Sequence, residues 1–135
     1  MFLVDTNVVS ELRKLERMNP GVREWFDGTV PNDMFLSVIT VGEIRKGIEE
    51  KRLSDPAQAE AMDRWMARTL TIFANHTLPF TRDIADRWGA LCPGQPLPPS
   101  DGLLAATALV HDLIVVTRNT KDFARGGVRL LNPWK

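Results

Sequence analysis

The sequence predicts an α/β fold: a mainly parallel sheet with helices on both faces. Three observations carry that reading. Short apolar runs alternate along the chain with segments of helical period. The run Leu113 to Thr117 is continuously apolar and rich in β-branched residues, as expected of a strand buried on both faces. The chain has 135 residues, 44% of them hydrophobic and 25% charged, which suits a single domain spanning 1–135. There is no internal repeat, low-complexity segment or linker within it.

Each element has a local reason. Phe2 to Val4 is a short apolar strand that ends at Asp5, and the segment around Leu12 and Leu15 reads as helical. Asn19-Pro20 supplies a cap and a first-position proline for a helix from Pro20 to Asp27, which stops at Gly28. Phe35 to Ile39 reads as a second strand. Thr40 and Glu43 have the spacing of a capping box and open a helix that runs to about Arg52. Met62, Trp65, Met66, Leu70 and Phe73 recur at three- and four-residue intervals, so Pro56 to Ala74 is an amphipathic helix. Leu78 to Phe80 is a short third strand whose proline suggests a sheet edge. Thr81 caps a helix through Leu91. A loop with four prolines in eight residues follows, Cys92 to Pro99, and Ser100 caps a helix from Asp101 to His111. After the strand at Leu113 to Thr117 come a short helix near Thr120 to Arg125, a Gly126-Gly127 turn and a last strand, Val128 to Leu131.

Composition excludes several chemistries. Seventeen Lys and Arg balance seventeen Asp and Glu, so nucleic acid can be attracted only by a local patch. One cysteine, Cys92, and two histidines, His76 and His111, cannot build a Cys/His zinc cage, so any metal would be a hard cation held by oxygen. Dinucleotide and P-loop glycine motifs are missing, and no Ser or Cys sits in a nucleophile elbow. No apolar run reaches transmembrane length, and the first residues lack the basic start of a signal peptide. The expected location is the cytoplasm, with no membrane partner. Trp25, Trp65 and Trp88 fall on apolar helix faces and read as core, whereas Trp134 reads as packing on the body or on a partner.

The acids are the informative residues. In open α/β sheets the ligand crevice lies beyond the carboxyl ends of the strands. Asp5 ends the first strand, Glu43 lies one helical turn past the second, Asp101 opens a helix, and Asp122 comes five residues after Thr117. Converging carboxylates raise each other's pKa unless a cation neutralises them. Mg²⁺ or Mn²⁺ would do so, and would also polarise a phosphodiester and generate a hydroxide nucleophile. Each acid alone has a plainer reading: a capping box for Glu43, a helix-dipole role for Asp101 and Asp122. Asp5, placed directly after a buried strand, has no packing purpose.

Four blocks then carry a resemblance: Leu3-Val4-Asp5-Thr6-Asn7, Val41 to Gly47, Pro99 to Ala106, and Val116 to Phe123. Together, and in this order, they resemble the PIN-domain toxins of bacterial toxin–antitoxin pairs, the VapC/FitB type. The resemblance implies a three-layer α/β/α sandwich with a mainly parallel sheet. It implies a Mg²⁺-dependent endoribonuclease, with Mn²⁺ able to substitute, in which Asp5, Glu43, Asp101 and Asp122 are the catalytic, metal-binding acids. Thr6, Asn7, Thr117 and Asn119 would form the supporting shell. It also implies a homodimer and a cognate antitoxin of the VapB/FitA kind. Arg118 to Lys135 holds five basic residues and one acid, and Arg45, Lys46, Lys51 and Arg52 form a second cluster. Arg118, Lys121 and Arg45 are the candidates for holding RNA backbone. Two alternatives remain. One is a catalytically silent PIN module that binds antitoxin or RNA. The other is a phosphatase with an aspartyl nucleophile, which would need an acid where this chain has Asn7.

Overall fold

Five parallel strands form the centre of the computed structural model, which describes all 135 residues. The strands are β1 (Phe2–Val4), β2 (Met34–Ser37), β3 (Thr77–Leu78), β4 (Ile114–Val116) and β5 (Leu130–Leu131), in the spatial order β3-β2-β1-β4-β5. The register pairs Phe2 with both Met34 and Ile114, and Val4 with Val116. The chain builds outward from β1 through β2 to β3, then returns to place β4 on the other side of β1. That reversal opens a crevice at the carboxyl ends of β1 and β4.

Period-two alternation divides the strand residues between two cores. Val4, Met34, Leu36 and Val116 face one side. There they meet α1 (Thr6–Leu12), α2 (Pro20–Asp27), α3 (Val38–Ser54) and α4 (Pro56–Ile72) through Val8, Val9, Val22, Ile44, Ile48, Ala59 and Met66. Leu3 and Val115 face the other side and pack on Leu104, Ala105 and Ala108 of α6 (Pro99–His111) and on Phe123 of α7 (Thr120–Phe123). The helix α5 (Arg82–Ala90) lies against α6. The architecture is the expected three-layer sandwich. No helix is long and apolar enough to cross a membrane.

Several local readings are corrected. The second strand ends at Ser37, whose hydroxyl accepts the Ile39 N–H at 3.0 Å and starts α3 two residues before Thr40. Thr40 is therefore buried inside the first turn and is not a cap. Helix α6 opens with Pro99 in its first turn and no side-chain cap, so Ser100 does not cap it. Leu12 belongs to α1, but Leu15 lies in a separate 3₁₀ turn and is exposed. Trp88 is 45% exposed and is not core. The apolar faces of α2 and α4 are largely absorbed by their own core, with Trp25, Phe26, Met62, Trp65 and Leu70 packed against it. Ile72, by contrast, projects outward.

Candidate active site

Asp5 sits where β1 turns into α1. Its backbone N–H still donates to the Val116 carbonyl at 3.0 Å, so it is fixed as an extension of the sheet. Its side chain caps α1, with Oδ1 accepting the Thr6 N–H at 2.7 Å. Oδ2 accepts the Thr117 hydroxyl at 2.8 Å and the Asn7 amide at 3.3 Å. Only 5% of the residue is exposed. Burial pushes its carboxyl above the ordinary aspartate range; the Thr117 and Thr6 hydrogen bonds oppose that shift, and the Glu43 charge adds to it.

The expected supporting residues assemble around it. Asn7 spends its carbonyl oxygen on the Arg118 N–H at 3.3 Å, a bond that an aspartate could also accept. Its amide, however, donates to both Asp5 and Thr117, which an acid could not do. Thr117 is fully buried, and its hydroxyl also accepts the Asn119 N–H at 2.9 Å. Asn119 thus contributes through its backbone. The Thr6 hydroxyl donates to Glu43 Oε1 at 2.7 Å, tying the start of α1 to α3. That bond replaces the capping-box role expected of Glu43.

Asp101, in the first turn of α6, is the electrostatic centre. Its carboxyl is pushed up to about 6, first by burial and then by the charges of Asp5, Asp122 and Glu43. The charges of the other three acids thus reach Asp101. They do not close into a ready cage: no three Asp, Glu, His or Cys side chains gather around one metal-sized point. Asp122 is exposed on α7, at the outer rim. Beside Glu43 lies a cavity of about 530 Å³, lined also by Lys46, Glu50 and Ser100, which the sequence did not single out as a group. Gly42 and Gly47 also line it, and a Cβ at either would meet no atom within 4 Å.

The predicted cations divide. Arg45 is paired with Asp63 at 2.6 Å and Glu49 at 3.0 Å, and the two carboxylates raise its pKa further. Its charge is neutralised on the α3–α4 surface, so it is a poor candidate for RNA. Arg118 is exposed and stacks over the Trp134 ring at 5.3 Å from the centroid; Lys121 is exposed on α7. A second acid that the pattern did not reveal, Glu11, is buried and accepts from Lys14 and the Asn19 N–H, which makes it a structural tie between α1 and α2. His76 packs on Phe35, and His111 is exposed at the end of α6, so neither belongs to the site.

The chain matches the family model described as PIN domain over residues 2–128. Toxin FitB of Neisseria gonorrhoeae is 35% identical over 139 residues, covering 99% of both chains. The VapC ribonuclease Y4jK of Sinorhizobium fredii is 33% identical over 140 residues, covering 100% of this chain and 99% of that one. Among solved structures, FitAcB from N. gonorrhoeae is similar with a TM-score of 0.88 at 34% identity over 99% of both chains. A toxin–antitoxin complex from Klebsiella pneumoniae is similar with a TM-score of 0.73 at 27% identity, covering 100% of this chain and 99% of that one. With its parallel sheet and its acids at the strand ends, the chain belongs to the PIN domain family, in the branch that holds FitB and the VapC ribonucleases.

Proposed function

We propose that this protein is the endoribonuclease toxin of a toxin–antitoxin pair, and that it hydrolyses RNA phosphodiesters at Asp5, Glu43, Asp101 and Asp122 with Mg²⁺, or Mn²⁺ in its place. Asp101 carries the reading. A carboxylate pushed up to about 6, first by burial and then by three neighbouring acids, is stabilised when positive charge enters the crevice.

The donor set fits a hard cation, since every candidate ligand is oxygen. Mg²⁺ commonly takes one or two carboxylates and keeps several waters, so a closed cage of three acids is not required. When bound, the cation offsets the carboxylate repulsion and stabilises negative charge on the phosphate.

The chain's own residues do the rest. Three donors on Asp5 fix both of its oxygens before any ligand arrives. Thr6 holds one oxygen of Glu43 and leaves the other unbonded. In this reading Asp101 and Asp122 orient water and accept the proton that the attacking water loses. No side-chain nucleophile is needed.

The relatives' names supply the substrate class and the partner. The antitoxin is expected to lay a C-terminal segment in the crevice, with an Arg or Lys near Asp5 and Asp101 in the cation's electrostatic role. Exposed Leu15 offers an apolar contact, whereas Leu12 and Trp25 are packed against the core. The test is cleavage of an end-labelled RNA by the purified protein. Wild type should cut with Mg²⁺ and stop in excess EDTA, and Asp5→Asn should not cut. A folded wild-type protein that binds RNA or antitoxin without cutting would favour the silent-module reading instead.

A further inference from the structure

We infer that the C-terminal tail, Pro133 to Lys135, is a working part of the RNA site, with Trp134 as the positioning residue that holds Arg118 against the backbone of a bound strand. The inference rests on the ribonuclease reading and adds a component to it.

Arg118 directly follows Thr117, and its N–H is held by Asn7, which also donates to Asp5. The base of its side chain is thus one hydrogen-bonded residue away from the central acid. Its guanidinium lies over Trp134 at 5.3 Å. The partner is what distinguishes it from other arginines. Arg45 and Arg52 are neutralised by Glu49, Glu60 and Asp63. An indole face restrains a guanidinium while leaving its charge and its in-plane N–H donors available for phosphate.

Trp134 is itself anchored by the fold. Its N–H donates to Asn132 Oδ1 at 3.0 Å. The next residue makes a reciprocal pair with Asn19: Lys135 N–H to Asn19 Oδ1 at 3.1 Å, and Asn19 Nδ2 to the Lys135 carbonyl at 3.0 Å. The Lys135 ammonium also pairs with Glu24. Asn19 is simultaneously the cap of α2, so the tail is fastened to the start of a helix. Gly21 makes room for it, because a Cβ there would lie 2.1 Å from the Pro133 carbonyl oxygen. The reciprocal clamp and the side-chain-free seat act on Lys135 and Pro133, the residues that flank Trp134. Together they hold the Trp134 ring under the Arg118 guanidinium.

The test uses the full chain with a fluorescein-labelled, cleavage-resistant 2′-O-methyl RNA in Mg²⁺, read by anisotropy, alongside KM and kcat on cleavable RNA. Arg118→Ala should weaken binding and lower the salt slope of log Kd by about one. Trp134→Leu should weaken binding by roughly two- to fivefold, the range for an exposed cation–π contact, with KM rising and kcat near wild type. Trp134→Phe should retain most of the affinity, and Gly21→Ala should reproduce the Trp134→Leu defect by unseating Pro133. The double variant Arg118→Ala/Trp134→Leu should be no weaker than Arg118→Ala. Equal affinity for wild type and Trp134→Leu, additive losses in the double variant, or a Trp134→Phe defect matching Trp134→Leu would each overturn the inference. Wild type that binds the RNA with this pattern but cuts nothing would overturn the ribonuclease reading and leave the tail's role standing.

Discussion

Thr117 donates its hydroxyl to Asp5 Oδ2 at 2.8 Å, joining residues 112 positions apart at the carboxyl ends of neighbouring strands. Both are buried, so the bond is made where a lost partner cannot be replaced by bulk water. Thr117→Val keeps the shape and removes the donor. It should cost about 1–3 kcal/mol at neutral pH, the usual penalty for stranding a buried polar group. Urea denaturation checks this. The loss should shrink at acid pH, where a protonated Asp5 depends less on the donor.

The raised carboxyls set a pH dependence. An unfolded aspartate ionises near 3.8, whereas folded Asp101 ionises at about 6. Between these values the folded state keeps a proton that the unfolded state has released, so rising pH lowers stability. Asp5 acts in the same direction. Asp101→Asn should therefore raise the Tm of the metal-free protein at pH 7 and gain nothing near pH 3.5. Thermal melts of both proteins across pH 3.5 to 7 measure the difference.

Divalent cations should reverse that penalty. Mg²⁺ at about a hundredfold over its Kd would stabilise the wild type by about 2.7 kcal/mol. Asp5→Asn and Asp101→Asn should lose most of the response, while Arg45→Ala should keep it. Melts with and without Mg²⁺ in EDTA-treated protein read this without any RNA.

Self-association is expected as well. A homodimer should give a light-scattering mass twice 15.2 kDa at micromolar concentration. A single 15.2 kDa species would refute it. The exposed apolar residues that a partner copy would cover include Ile72, Phe80, Trp88 and Val110.

The fold was legible because β1, β2 and β4 lie in short apolar runs and α4 carries apolar residues at three- and four-residue intervals. Asp5 stood out because an acid after a buried strand has no packing role. Helix starts were less legible. Ser37 caps α3 only because the strand ends there, and Thr40, an equally good cap by type, lies inside the helix. The Thr6–Glu43 bond crosses two helices, and no spacing announces it. Arg45 looked like an RNA contact because one of the two carboxylates that neutralise it, Asp63, comes from a different helix. The Arg118–Trp134 contact depends on where β5 delivers the tail, which is set by tertiary structure alone.

Asp5, Glu43, Asp101 and Asp122 are proposed as one divalent-cation site. The most direct measurement is an anomalous difference map from a crystal of the protein soaked with Mn²⁺. We expect one strong peak in the crevice bounded by Asp5 and Asp101, with Glu43 and Asp122 facing it, and no such peak in Asp5→Asn crystals. A saturating soak that leaves the crevice without a peak, or places the ion away from Asp5 and Asp101, would rule out a shared cation site there.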